Sequence, residues 1–286
     1  MFGVVPRVLW ERACPPDELN RVTLTCNCLF IDAGKQKLLI DTGMGEKWSD
    51  KQVAMYGISR RCSFSDSLHQ ITGCNPADID IVINTHLHFD HAGGNTRWGE
   101  EEKGRKGDNP QSSPPYEGGV AVASADGVVL CAAHPQFKNA RYLVSRSELQ
   151  AAENPHERDR ASYLPENWQP LVASGQLEQM PDTYEPVEGL VIEQVRGHSE
   201  TMQTVKLTRG GETLYGFFDM IPTRHHLPYP WIMSYDLYPT DTLEFKKRVV
   251  PQAVKENWIC HFYHDVEMPL ARLVEVDGKV SAVSCT

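Results

Sequence analysis

The run Asn84-Thr85-His86-Leu87-His88-Phe89-Asp90-His91 sets three imidazoles and one carboxylate within six consecutive positions. Imidazole nitrogen together with carboxylate oxygen suits zinc and the neighbouring first-row divalent ions. The run follows Ile79, Ile81, Val82 and Ile83, an apolar stretch that predicts a buried strand. Where such a strand ends, His86 and His88 alternate to one side, and Asp90 and His91 follow as the chain bends toward a helix or loop. Four ligand types at this spacing rarely serve solubility.

The pattern of a strand followed by a ligand-type residue recurs. Leu190–Val195 reads as a strand and leads into Arg196-Gly197-His198-Ser199, Thr213–Phe218 ends in Asp219, and Trp258–Tyr263 ends in His264. His86, His88, Asp90, His91, His198, Asp219 and His264 therefore all fall at one kind of location, which predicts a shared edge of a β-sandwich. His261 competes with His264, but strand alternation turns it to the opposite face.

Other elements must position these residues. Val22–Ile31 and Lys37–Ile40 are β-rich and joined through Ala33-Gly34, and the second ends in Asp41-Thr42-Gly43-Met44-Gly45. Asp41 is expected to brace the loops beside the site through backbone hydrogen bonds. Aspartic proteases carry an Asp-Thr-Gly triplet too, but need two such aspartates, and no second copy occurs. Ser63 to Gly73 has helical spacing, with Ser63 and Asp66 placed as a cap. Arg97 to Gly118 lacks an apolar period and reads as an exposed insertion, followed by a hairpin with Asp126-Gly127 at its turn. Arg141–Ser145 reads as a strand, and Arg146–Glu153 and Arg158–Trp168 as helices. Asn154–Arg160 is charged and reads as a solvated face. Thr201–Thr208 pairs with Thr213–Phe218 across Arg209-Gly210-Gly211. Thr240–Glu256 reads as a helix capped by Thr240 or Asp241 and kinked or broken at Pro251. Ala271–Val276 and Lys279–Val283 turn at Asp277-Gly278.

The 286 residues suit one α/β domain, 1–286, with the insertion at about 97–118. A net charge of −10 disfavours nucleic acid and anionic membranes, neither of which would be attracted by the overall field. No apolar run reaches the ~20 residues that span a bilayer, and Met1 to Trp10 lacks the pattern of a secretory signal. The eight cysteines contain no Cys-x-x-Cys pair and read as reduced thiols, so a cytoplasmic location is the expectation.

On these motifs the chain resembles the metallo-β-lactamase superfamily, whose fold is an αββα four-layer sandwich, two mixed β-sheets flanked by helices. Within it the chain is most similar to the N-acyl homoserine lactonase type. Met1-Phe2-Gly3-Val4-Val5-Pro6, Asn154-Pro155-His156-Glu157-Arg158-Asp159-Arg160 and Asp219-Met220-Ile221-Pro222-Thr223 with His226-Leu227-Pro228 carry that likeness. The resemblance implies two divalent ions, zinc foremost, one held by His86, His88 and His198 and the other by Asp90, His91 and His264, with Asp219 bridging. It implies a hydrolase that opens a lactone ring by attack of a hydroxide held between the ions, with Asp90 carrying a proton to the departing alkoxide and His226 meeting the substrate carbonyl or the developing anion.

Three departures qualify the likeness. Asp219 stands where β-lactam hydrolases use cysteine, so an antibiotic substrate is disfavoured. Pro222 stands where homoserine lactonases place a tyrosine, so an electrophilic helper must come from elsewhere or be lacking. The chain also begins where relatives have earlier residues, so a preceding strand is expected to be missing or replaced. Met1, Phe2, Trp10, Leu227, Tyr229, Pro230 and Trp231 could form an apolar wall for an acyl chain.

The partner expected is a small lactone or ester, with neither nucleic acid nor membrane, and a homodimer is kept open. Aryl ester or phosphotriester hydrolysis on the same site is the alternative, and a mononuclear iron dioxygenase is the alternative of a different class. A thioesterase of the glyoxalase II type ranks lower, because the chain ends in a hairpin where a basic helix would be wanted.

Overall fold

A computed structural model describes residues 1–99 and 133–285. In chain order its strands are β1 (Leu29–Asp32), β2 (Lys37–Ile40), β3 (Ile81–Ile83), β4 (Thr96–Trp98), β5 (Ala133–Pro135), β6 (Arg141–Ser145) and β7 (Leu177–Met180). They continue as β8 (Thr183–Val187), β9 (Leu190–Gln194), β10 (Gln203–Arg209), β11 (Glu212–Gly216), β12 (Ile259–His261), β13 (Leu270–Val276) and β14 (Lys279–Ser284). One mixed sheet has the order β1-β2-β3-β6-β7, a second has β14-β13-β12-β11-β10-β9-β8, and β4 pairs with β5 alone.

Residue alternation in the first sheet explains the layering. Leu38, Ile40, Ile81, Ile83 and Leu143 point into a cluster shared with Ile192, Val205, Tyr215 and Ala271 of the second sheet. Their neighbours Leu39, Val82 and Tyr142 face the other way, onto Leu68 and Leu171 of the helices Phe64–Thr72 and Gln169–Ala173. The period of two thus buries both faces of short strands. Helix Pro239–Lys255 packs on β13 and buries Phe245, Val249, Val250 and Ala253. Helix, sheet, sheet and helix follow one another, the αββα order.

Several boundaries differ from those the sequence predicts. The first strand begins only at Leu29, because Thr25 and Asn27 give their backbone N–H groups to His264 and Tyr263, lashing that segment across the end of β12. The Asn27 amide adds bonds to the carbonyls of Phe262 and Asp265. Arg158–Trp168 forms 3₁₀ turns at Arg160–Ser162 and Pro165–Asn167, the second opened by a proline that has no N–H to continue a helix. Pro239 starts the long helix at its first position, and neither Thr240 nor Asp241 caps it. Pro251 lies inside that helix on its exposed face, where water can serve the carbonyl that its ring leaves unpaired, so the helix runs on. Arg97 and Trp98 belong to β4. Residues 100–118 of the expected insertion and the Asp126-Gly127 hairpin lie outside the described residues.

The seven cysteines among the described residues are free thiols. Among the described residues no helix is long and apolar enough to cross a membrane.

Candidate metal centre

The His86–His91 run leaves β3 as an irregular stretch, and the helix Phe89–Ala92 begins immediately after His88. This switch turns His91 back toward His86, whose ring centroid lies 4.0 Å away, while His86 and His88 stand 4.5 Å apart. A second loop locks the turn. A Cβ on Gly45 would lie 2.0 Å from the carbonyl oxygen of Gly93, and one on Gly93 would lie 2.2 Å from that of Met44. Only glycine at both positions lets the Asp41–Gly45 loop press this close.

The other ligand-type residues arrive from the second sheet. His198 follows β9, Asp219 sits in a 3₁₀ turn after β11, and His264 lies three residues beyond β12. Phe218, just before Asp219, has a φ of +46°, and Asp41 a φ of +57°. Two non-glycine residues in the left-handed region beside one site mark backbone held in place by its surroundings.

Three groups of donor atoms converge, each within 4.8 Å: His86, His88 and His198; His86, His91 and Asp219; and Asp90, His91 and His264. Asp219 lies between them. Its Oδ1 is 3.2 Å from Nε2 of His91 and 3.2 Å from Nε2 of His264, and its Oδ2 is 3.3 Å from Nε2 of His198. Asp90 Oδ2 is 3.5 Å from Nε2 of His264.

His86 Nε2, His91 Nε2 and Asp219 Oδ1 are buried without a hydrogen-bond partner. Donors aimed at one small space rather than at each other suit a cation. His261 is in none of the groups and bonds the carbonyl of Asn27 through Nε2 at 2.7 Å.

Outer partners hold these rings. Asp41 Oδ2 lies 2.8 Å from His91 Nδ1, and its carboxylate also accepts from the Thr85 N–H and hydroxyl. Asp236 Oδ1 lies 3.0 Å from His198 Nδ1 and is itself fixed by the Thr242 hydroxyl. His264 Nδ1 meets the carbonyl of Thr25 at 2.7 Å, and His86 Nδ1 meets the Thr85 hydroxyl at 3.2 Å. Such outer contacts orient ligating rings and tune their basicity.

Charge inside the cluster is strongly redistributed. Burial, with His91 and His88 alongside, pushes His86 well below the ordinary imidazole range. Burial works to lower His91 as well, but Asp219, Asp41 and Asp90 outweigh it and hold the ring well above that range. Burial would raise Asp219, yet His91, His264 and His198 outweigh it and keep the carboxyl well below its usual range. Asp219 thus stays ionised against burial, facing imidazoles that its own charge in turn favours in the protonated form.

His226, expected from the sequence to act on substrate, belongs to none of the three groups. Its Nδ1 pairs with the Thr223 hydroxyl at 2.8 Å, and its ring stacks on Phe2 at 4.5 Å. Phe2 also meets Trp231 edge-on at 5.2 Å and Trp10 at 5.6 Å.

Four residues near the site stand outside any ligand-like spacing in the sequence. Trp48 and Tyr56 pack against Phe89 at 5.4 and 5.6 Å, forming an aromatic group beside Asp90. Tyr235 stands 44% exposed with its ring 6.0 Å from that of His198. Asp159, in the run read as a solvated face, is instead largely buried and lies 3.8 Å from His88 Nε2. Its carboxylate makes no cap hydrogen bond to the 3₁₀ turn at Arg160–Ser162.

Comparison with known proteins agrees with this geometry. Residues 21–125 match the metallo-beta-lactamase superfamily. An N-acyl homoserine lactonase from Bacillus thuringiensis is 33% identical over 92 residues, 29% of this chain and 36% of that protein. The chain thus spans about a third of the length of the curated lactonases it matches. A probable metal-dependent hydrolase from Staphylococcus aureus superposes with a TM-score of 0.81 at 26% identity, covering 99% of this chain and 89% of that one. AidC, a dizinc quorum-quenching lactonase, shares the fold with a TM-score of 0.66 at 18% identity, over 92% of this chain and 80% of its own. By motif, by fold and by these matches, the chain carries a metallo-beta-lactamase superfamily domain.

Proposed function

We propose that the protein is a metal-dependent hydrolase with a dinuclear centre that opens lactone rings, with N-acyl homoserine lactones as the substrate class. One observation carries this reading: the three donor groups overlap through His86 and His91, and the Asp219 carboxylate of the middle group lies 3.3 Å from His198 Nε2 and 3.2 Å from His264 Nε2, so two cations would have a common carboxylate. His86, His88 and His198 would hold one ion, and Asp90, His91 and His264 the other. The imidazole-rich donor set favours zinc. When bound, the ions supply a water of lowered pKa and polarise an ester carbonyl. The curated relatives, named N-acyl homoserine lactonases, support the substrate class.

The chain's own residues do the rest. Water adds to the lactone carbonyl carbon, the ring C–O bond breaks, and the departing alkoxide needs a proton. Asp90 is placed to carry it, since its side chain is 25% exposed while those of His264 and Asp219 beside it are only 4% exposed. Tyr235 stands beside His198, its phenol donating to the weak acceptor Met1 Sδ at 3.2 Å, a bond a substrate oxygen would replace, and Pro222 offers no such donor. His226 is assigned to the apolar wall with Phe2 and Trp231, on the strength of its contacts. That wall, together with the aromatic group of Trp48, Tyr56 and Phe89, suits an acyl chain.

The test is a substrate panel on purified, metal-loaded protein: acyl homoserine lactones, simple lactones, aryl esters and phosphotriesters, followed by acid release or chromophore. Lactone turnover lost in His88→Ala supports the proposal. Turnover retained in that variant, or confined to phosphotriesters, overturns it.

A further inference from the structure

The five histidines of the centre are not anchored alike. His86, His91, His198 and His264 each use Nδ1 for an outer partner, respectively the Thr85 hydroxyl, the Asp41 carboxylate, the Asp236 carboxylate and the Thr25 carbonyl. Each is thereby left with Nε2 facing the shared space. His88 is reversed. Its Nδ1 lies 3.1 Å from Nε2 of His198, so Nδ1 is its inward nitrogen, and its Nε2 points outward at Asp159 Oδ2, 3.8 Å away.

That outward face is built rather than incidental. The side chains of His88 and Asp159 are 6% and 9% exposed, and His88 Nε2 and Asp159 Oδ1 are both buried without a hydrogen-bond partner. Aspartate is a favoured N-cap, yet Asp159 precedes the Arg160–Ser162 turn without capping it, so its carboxylate is free for the ring. Tyr163 closes the same turn over His88, through a backbone bridge and an edge-on ring contact at 4.7 Å. A cavity of about 140 Å³ borders Asp159, lined also by His156, Tyr163 and Thr201.

We propose that Asp159 is the positioning residue that fixes His88 as the Nε2–H tautomer, with its Nδ1 lone pair directed into the metal centre. A neutral imidazole has one N–H and one lone pair, and a carboxylate at one nitrogen keeps the proton there. Without Asp159 the ring is free to turn or to exchange tautomer, and the His86–His88–His198 group loses a donor. The Asp90–His91–His264 group, which has its own anchors, keeps its geometry. The inference rests on the proposed metal centre for its consequence, but the tautomer belongs to the metal-free protein, where it makes His198 Nε2–H the donor of the 3.1 Å contact to His88 Nδ1.

Two measurements test it on the full chain. Nitrogen-15 NMR of the imidazole rings in metal-free protein should show His88 protonated at Nε2, and Asp159→Ala should shift it toward a mixture while Asp159→Asn, which keeps an acceptor oxygen, largely preserves it. Zinc competition against a chromophoric chelator should show one of two ions weakened roughly 10–100-fold in Asp159→Ala, the range seen when outer partners of metal ligands are removed. The loss should be smaller in Asp159→Asn, with the second ion unchanged in both. Finding His88 protonated at Nδ1 in the parent protein overturns the proposal, as does wild-type affinity for both ions in both variants. Equal loss of both ions in Asp159→Asn, with an unchanged melting temperature, also overturns it. If the parent protein takes up no zinc, the metal-centre reading fails instead, and the NMR result still decides the role of Asp159.

Discussion

Glu148 offers a sharp test of how the histidine block is held from behind. The side chain is fully buried in the helix Arg146–Glu153, accepts the Leu87 N–H at 2.7 Å through Oε1 and accepts the Thr201 hydroxyl through Oε2. It therefore grips the peptide between His86 and His88. Burial pushes its carboxyl up from 4.5 to about 7, despite those hydrogen bonds.

An acid whose folded-state pKa is raised binds its proton more tightly folded than unfolded. Its burial penalty is absent below the unfolded value, grows as the pH climbs from about 4.5 to about 7, and is constant above. Each tenfold change in proton affinity is worth about 1.4 kcal/mol, so the full penalty is about 3 kcal/mol. Glu148→Gln keeps an oxygen for Leu87 N–H and removes the charge. For a chain of 286 residues, with about 2.1 cal/mol/K of unfolding entropy each, 3 kcal/mol is roughly 5 °C in Tm. Thermal melts of both proteins at pH 4.5 and 7.5 should show a gap in favour of Glu148→Gln that is small at the lower pH and opens to several degrees at the higher one. A gap independent of pH, or one that closes as the pH rises, would refute the reasoning.

Three further outcomes are expected. Tyr235→Phe should lower kcat on lactones roughly tenfold at unchanged metal content, less than the 10²–10³ of an enclosed oxyanion donor because the ring is 44% exposed, and steady-state kinetics with elemental analysis will check it. Gly93→Ala should cost several kcal/mol and depress zinc uptake, because its Cβ would lie 2.2 Å from the Met44 carbonyl; chelator competition and urea unfolding report both. Phe2→Ala should remove a side chain only 2% exposed and lower stability by about 3–5 kcal/mol, with KM rising more for long-chain than short-chain lactones.

The sequence disclosed the layering well, because alternation in Leu38-Leu39-Ile40 and Ile81-Val82-Ile83 is a local property that survives into two separate cores. The seven ligand-type residues were readable for a related reason: each follows a strand, and the ends of neighbouring strands meet. What holds those residues was mostly hidden. Asp236 and Asp159 lie in stretches with no ligand-like spacing, and each reaches its histidine only through a fold-wide approach, 38 residues in sequence from His198 in the first case. Asp159 is hidden because a charged run normally stays in water, whereas here the carboxylate is uncapped and its side chain only 9% exposed. Asp41 is legible as a brace for loops, but its bond to His91 Nδ1 depends on the pairing of β2 and β3 in register. The Trp48, Tyr56 and Phe89 group is not legible, because aromatics scattered along loops and helices carry no periodic signal.

The central claim is that residues from both sheets assemble one pocket for two cations that share Asp219. Metal content by elemental analysis, measured alongside lactone turnover in the parent protein and in Asp219→Ala, tests it most directly. The account predicts about two divalent ions per chain with turnover in the parent, and loss of at least one ion together with the activity in the variant. A parent protein that hydrolyses lactones without bound metal, or a variant that keeps both ions and full turnover, would contradict it.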